Sequence, residues 1–398
     1  MGNRVYKKCC FNTANFQKSR TGGLLVSQVK IMIAPVRYVQ GAGALKEIGE
    51  HVSRLGKKVF VTGGKTALAQ TRESIEKSCG EKGVSCVFET FGGECCDAEI
   101  ERLKAAVLSA GCDVVMAVGG GKVIDAGKAV AALIKVPVVV VPTIAATDAP
   151  CSALSVIYTE EGVFDRYFIL PQNPNLVLVD TSIIARAPVR FLVSGMGDAL
   201  ATWFEAASCA QAAAQNIPGG RTTTAALRLA RLCYEILVEY GEQARLAAEC
   251  GVVTPALEKI VEANTLLSGI GFESSGLAAA HAIHDGLTVL EETHHAYHGE
   301  KVAFGTLAHL VLEDHPREEM EEVLDFCIRV GLPITLGQLG VKEISPEKIK
   351  KVAEKVCEPG MMIHNMPFPV SPDMVYDAIL AADAIGRAYL HRYGIAAD

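Results

Sequence analysis

The rhythm of apolar and polar positions changes once along the 398 residues. Before about Pro188, short valine-rich runs alternate with longer amphipathic stretches. Apolar runs of this length, bounded by glycine or proline, are what parallel strands buried on both faces look like. They predict strands at about 31–40, 58–62, 86–89, 114–118, 138–141 and 176–179. Asp97 is the expected N-cap of a helix over 98–110. After Phe191 the period becomes helical and strand signals almost vanish. Helices are expected at 223–240, 255–267, 277–290, 302–312, 317–330, 346–356 and 372–388. Ser345-Pro346 and Ser371-Pro372 open the last two with a cap and a first-position proline. The fold class is therefore an α/β domain with a parallel Rossmann-like sheet, 31–187, followed by an all-helical domain, 188–398. Residues 1–30 precede both as a basic extension expected to be disordered.

One strand runs into Gly119-Gly120-Gly121-Lys122-Val123-Ile124-Asp125 and then into an apolar helix. Three glycines at a strand-to-helix turn let a ligand approach the backbone, and free N–H groups at a helix start favour an anion. That reads as a pyrophosphate cradle, although it matches neither G-x-G-x-x-G nor the P-loop pattern. A tight turn with no ligand is the plainer alternative. In such sheets ligands gather at the carboxyl ends of the strands. This places the glycine turns and Thr143 on one edge, and a cleft against the helical domain is the expected site.

Composition narrows the partners. Half of the residues are hydrophobic, 21% are charged, and the net charge is -7. Nucleic acid is not the expected partner. No apolar run reaches the roughly 18 residues of a membrane span. Thirteen cysteines are scattered without a C-x-x-C pair, which suits buried thiols in a reducing compartment. Arg4, Lys7, Lys8, Lys18, Arg20 and Lys30 precede the first acidic residue, Glu47. A cytoplasmic location is expected, and this acid-poor leader keeps an organellar one open.

Histidines number ten, and His281, His284, His294, His295 and His298 crowd into one stretch. His281 and His284 share a helix face. His298, before Gly299-Glu300, sits at a helix start. A metal site is the expectation, with Asp198 as the carboxylate ligand. Asp198 lies directly before an apolar helix, so capping is its alternative role. One Asp and two His leave a position open on zinc, as catalysis needs. An open zinc beside a dinucleotide cradle points to hydride transfer from an alcohol.

The motifs Gly119-Gly120-Gly121-Lys122…Asp125, Pro142-Thr143…Thr147-Asp148, 195–203, 276–284 and 294–305 together closely resemble the glycerol-oxidising branch of the iron-containing, group III alcohol dehydrogenase superfamily. The resemblance runs from about Ile33 to the carboxyl end. It implies a dehydroquinate synthase-like architecture and NAD- and zinc-dependent oxidation of glycerol to dihydroxyacetone. It also implies a homo-oligomer, up to an octamer. By resemblance the zinc ligands are Asp198, His281 and His298, which selects His281 over His284. Asp148 would stand beside the substrate, so these four are the implied catalytic and substrate-contacting residues. Implied cofactor contacts are Gly119, Gly120, Gly121, Lys122, Asp125, Thr143, Ala146, Ser152, Leu154 and Tyr158. Iron-dependent relatives carry a further histidine where this chain has Thr202, which favours zinc. Relatives often carry an acidic residue after the glycine of the second strand. Gly64 stands there, followed by Lys65, and so does not exclude NADP. His284-Asp285 replaces a frequent His-Asn. Two other readings are a dehydrogenase or reductase for another vicinal diol or hydroxyketone, and a dehydroquinate synthase-like lyase. The lyase needs several basic residues around a phosphate, and Lys301 is the main one near His298. A scaffold without activity would not need all three ligands and the glycine turn.

Overall fold

The computed structural model of the protein describes residues 29–395. Residues 1–28 of the expected disordered extension lie outside them. The end of that segment is docked: Arg221 N donates to Val29 O at 2.9 Å, and Ile31 N to Arg221 O at 3.1 Å.

Among the described residues eight strands form: β1 (Tyr38–Gly41), β2 (Lys58–Gly63), β3 (Ser85–Thr90), β4 (Val114–Gly119), β5 (Val138–Pro142), β6 (Leu154–Tyr158), β7 (Phe164–Ile169) and β8 (Leu176–Asp180). Six make one parallel sheet in the order β1-β8-β5-β4-β2-β3. Residues alternate between its two faces. Val59 and Val61 pack with Ile48, Val52 and Ile75 on one side, while Phe60 packs with Ile100, Leu103 and Val107 on the other. Each face is covered by helices, α1 (Ile48–Val52) and α2 (Lys65–Glu81) on the first, α3 (Asp97–Ala110) and α4 (Gly121–Ile134) on the second.

The antiparallel hairpin β6–β7 was not expected. β7 is almost wholly exposed, so no buried apolar run announces it. Asp97 is the first helical residue rather than the cap. Cys96 takes the cap position, and the Asp97 carboxylate pairs with Arg166 at 2.6 Å.

The remaining helices are α5 (Thr181–Ile184), α6 (Val189–Ala212), α7 (Thr224–Glu249), α8 (Pro255–Glu262), α9 (Ser268–Ser275), α10 (Ala279–Leu287), α11 (His298–Leu312), α12 (Arg317–Val330), α13 (Pro346–Val356) and α14 (Pro372–Arg392). A π-helical turn, Ala263–Leu267, joins α8 to α9. There Asn264 Nδ2 donates to Ala145 O and Leu192 O, both at 3.0 Å, tying the helices to the loop after β5. Among the described residues no helix is long and apolar enough to cross a membrane.

Candidate active site

The sheet order reverses between β2 and β4: β2 leads outward to β3, β4 leads the other way to β5. That is the switch point at which doubly wound sheets take ligands. Two glycine turns flank it, Gly63-Gly64 after β2 and Gly119–Gly121 after β4. Gly119 has φ +145°, a conformation side chains rarely adopt, and a methyl group there would stand 2.7 Å from Val123 Cγ1. The first N–H groups of α4 have no intrahelical acceptor, and Gly120 supplies no side chain to cap them. Lys122 reaches over the Tyr158 ring, 5.5 Å away, and pairs with Glu94 at 2.6 Å. Thr143 N bonds Gly119 O at 3.1 Å, so β5 ends beside the same turn.

Three of the expected cofactor residues, Asp125, Ser152 and Leu154, take part in an interior knot around Lys128. Lys128 is fully buried, and its ammonium donates to Ala149 O at 2.8 Å, to Ser152 O at 3.3 Å and to Leu154 O. Asp125 balances it at 3.0 Å and accepts from Val156 N at 3.1 Å. Burial raises the Asp125 pKa, and Lys128 opposes the rise. This knot shapes the loop that follows Asp148. The Ala146 carbonyl accepts from Ser194 Oγ at 3.4 Å.

The metal candidates come from three helices. α6 does not start at Asp198, as expected, but at Val189, so Asp198 sits in mid-helix and is not a cap. The helix continues through Gly195 and Gly197 because neighbours leave no room for side chains there. A methyl on Gly197 would lie 2.3 Å from Gly299 O, and one on Gly299 would lie 1.7 Å from Ser194 O. The two backbones touch, and that contact sets Asp198 of α6 beside His298 of α11. Arg190 holds the start of α11 by gripping Glu300 with two bonds, 2.6 and 2.8 Å, while Glu300 accepts from Tyr297 N at 2.7 Å.

Asp198 Oδ1 lies 3.2 Å from His281 Nε2 and 3.0 Å from His298 Nε2. Both rings are held from behind. His281 Nδ1 donates to Glu205 Oε2 at 2.6 Å, and Glu205 Oε1 accepts from the first N–H groups of α10, at Ala278 and His281. His298 Nδ1 lies 3.0 Å from His284 Nε2, and His284 Nδ1 lies 3.0 Å from Asp285. Burial, then His298, pulls the His284 pKa down to about 4, so His284 is neutral. With its Nδ1 proton given to Asp285, its Nε2 accepts from His298.

The proton count then bears on a cation. Each Nδ1 is committed as a donor, so in the neutral rings each Nε2 has a lone pair, and both pairs face an acidic oxygen. Three lone pairs cannot converge without a positive charge between them. Without a metal that charge is a proton on His281. Burial opposes it, but Glu205 and Asp198 outweigh burial and push the His281 pKa well up. A divalent cation fits the same place, with a carboxylate–imidazole pair behind it. The donors all lie within 4.8 Å of one another. His281 and Asp198 are buried, while the His298 side chain is 37% exposed, so the cluster opens on one side.

Asp148 borders the open side. Its N–H donates to Asp198 Oδ2 at 3.2 Å, and its carboxylate Oδ2 accepts from Ser268 Oγ at 2.8 Å. Thr202 then donates to Ser268 at 2.9 Å. Burial and the Asp198 carboxylate push the Asp148 pKa well above the usual range. Sequence reasoning missed Glu205, Ser268 and Lys128. Glu205 had a signal: it is a carboxylate in an apolar helix, two turns from Asp198 and on the same face. Among the described residues the His294 and His295 rings bond backbone carbonyls, Thr288 O and Glu292 O, and neither joins the cluster.

A doubly wound sheet with its glycine turns at the switch point is joined to a helical Asp-His-His cluster that could hold a metal ion. The chain belongs to the iron-containing alcohol dehydrogenase family, whose model matches residues 35–181. Within it the chain resembles glycerol dehydrogenase. It is 55% identical to the glycerol dehydrogenase of Citrobacter freundii over 364 residues, 92% of this chain and all of that one. It is 46% identical to the glycolaldehyde reductase of Halobacterium salinarum, covering 89% of this chain and 97% of that one. The crystal structure of Schizosaccharomyces pombe glycerol dehydrogenase superposes with a TM-score of 0.89 at 39% identity, covering 92% and 94% of the two chains.

Proposed function

We propose that this chain oxidises glycerol to dihydroxyacetone with NAD as acceptor, using zinc held by Asp198, His281 and His298 in the cleft between sheet and helices. The observation that carries the reading is the three converging lone pairs beside Asp148. When bound, zinc supplies Lewis-acid polarisation and NAD takes up the hydride. The chain's own side chains do the positioning. Glu205 and His284 fix the two rings with Nε2 forward. Ser268 holds one oxygen of Asp148, and the other has no hydrogen-bond partner among the described residues. That oxygen is placed to accept a substrate hydroxyl and its proton.

Zinc rather than iron is supported by Thr202, which bonds Ser268 where iron-dependent relatives place a ligand. The glycine turn at the switch point supports the nucleotide. A homo-oligomer, up to an octamer, rests on the family resemblance, and a cytoplasmic location on the scattered thiols. The test is zinc content together with NADH formation from glycerol, ethanol and butanol. Glycerol should be preferred, since two adjacent hydroxyls chelate one open ion; equal efficiency with butanol would contradict the reading. A second reading, reduction of a small hydroxyaldehyde or hydroxyketone, draws on the Halobacterium relative and is decided by NADH consumption with glycolaldehyde.

A further inference from the structure

The far end of α11 carries a second cluster of similar chemistry. His309 lies in its last turn, Glu313 closes it, and His315 follows on the way to α12. His309 Nε2 is 3.2 Å and His315 Nε2 2.9 Å from one oxygen, Glu313 Oε2. All three donors fall within 4.8 Å of one another. In a tetrahedral site with bonds of roughly 2.0–2.2 Å, neighbouring donors stand about 3.3 Å apart. Little closure is needed.

Two further observations point to a cation. Glu319 Oε2 lies 2.7 Å from His315 Nδ1, so a carboxylate backs the imidazole and turns its other nitrogen forward. Glu205 does the same behind His281. Moreover, Glu313 Oε1 is buried without a hydrogen-bond partner among the described residues. An unsatisfied buried oxygen is costly, and an ion between the rings would take it as a further ligand atom. His309 is fully buried, while the His315 side chain is 20% exposed, which leaves a way in.

We propose that His309, Glu313 and His315 form a second site for a zinc-like divalent cation, structural in role. Ser208 of α6 lies 3.0 Å from His309 Nε2. The ion would brace α11 against α6 at the end remote from Asp198 and His298. The experiment strips the full-length protein with a chelator, refills it with zinc, desalts it and counts zinc per chain. Wild type should hold two equivalents. His315→Gln should hold one and keep its turnover; His298→Ala should hold one and lose turnover; the double variant should hold none. Zinc should raise the Tm of His298→Ala, and adding His315→Gln should abolish that rise. A single equivalent in wild type overturns the proposal. So do two equivalents that persist in both His315→Gln and His309→Gln, since the extra zinc then lies elsewhere.

Discussion

The sheet edge and the helical cluster solve opposite electrostatic problems with opposite parts of the chain. At the edge, the backbone N–H groups at the start of α4 are left without a side-chain cap, an arrangement that favours an anion, and glycines keep side chains out of the way. In the cluster, a carboxylate and two imidazoles converge in a way that favours a cation, with Glu205 behind one ring and His284 behind the other. A site made of backbone is damaged by adding atoms. A site made of side chains is damaged by removing them. Glycine still matters to the second site, at one remove: the contact of Gly197 with Gly299 lets α6 and α11 bring Asp198 and His298 together.

The largest effect should come from deleting a lone pair. His281→Ala and His298→Ala should each lose active-site zinc and about a thousandfold or more in turnover, several kcal/mol of metal assistance, while staying folded. Metal analysis and circular dichroism on the same sample check this; retained activity-linked zinc in either variant would remove that residue from the ligand set. Adding an atom to the contact under the cluster should act in the same direction. Gly299→Ala forces α6 and α11 apart, so active-site zinc affinity should fall and unfolding should occur at lower temperature. A lower Tm with unchanged zinc affinity would show that the helix contact serves stability alone.

The backbone site should respond more gently and on a different parameter. Gly119→Ala places a side chain at φ +145° against Val123, a strain of about 1–3 kcal/mol. The Michaelis constant for NAD should rise while zinc content stays constant. Loss of zinc in this variant would mean that the two sites are not separable in this way.

His284→Ala should be milder than either ligand variant. The structure supplies the reason, because His284 orients His298 at 3.0 Å rather than joining Asp198. A loss of about 10–100-fold in metal affinity is the scale for such a partner. Zinc-saturated turnover should largely survive, and a chelator competition assay separates the two quantities. The smallest change concerns cofactor choice. A side chain at Gly64 meets nothing within 4 Å, so Gly64→Asp is sterically free. It should shift the NAD-to-NADP efficiency ratio about tenfold or more, one charge-assisted hydrogen bond being worth roughly 1.5–3 kcal/mol. No shift would show that position 64 does not face the ribose.

The same contrast explains what could be read from the residues alone. The sheet edge is local: a valine run, a glycine turn and a helix lie in order within 114–134, so the pattern shows the elements directly. α12 and α13 were also legible, with Arg317–Val330 and Pro346–Val356 bounded by their own caps and periodicity. The cluster is not local. Asp198, His281 and His298 come from three helices, and spacing alone left His281 and His284 equal. Only the family resemblance chose between them. Asp198 read as a helix start because Gly195 and Gly197 look like a break, yet there they are what close packing between helices requires. Ser268 was invisible for the same reason, since its partners are far away in the chain, and Glu205 offered only its place on the Asp198 face of an apolar helix. The hairpin β6–β7 escaped because its exposed strand has no buried face to leave a pattern.

The central claim is that the converging Nε2 lone pairs and Asp198 hold a zinc ion that glycerol oxidation needs. The most direct measurement is NADH formation from glycerol and NAD by metal-stripped protein, with zinc or ferrous iron added back, for wild type and His298→Ala. The account predicts no NADH from stripped wild type, recovery with zinc and less with iron, and no recovery in the variant. Full activity in the stripped protein, or recovery with iron alone, would contradict it.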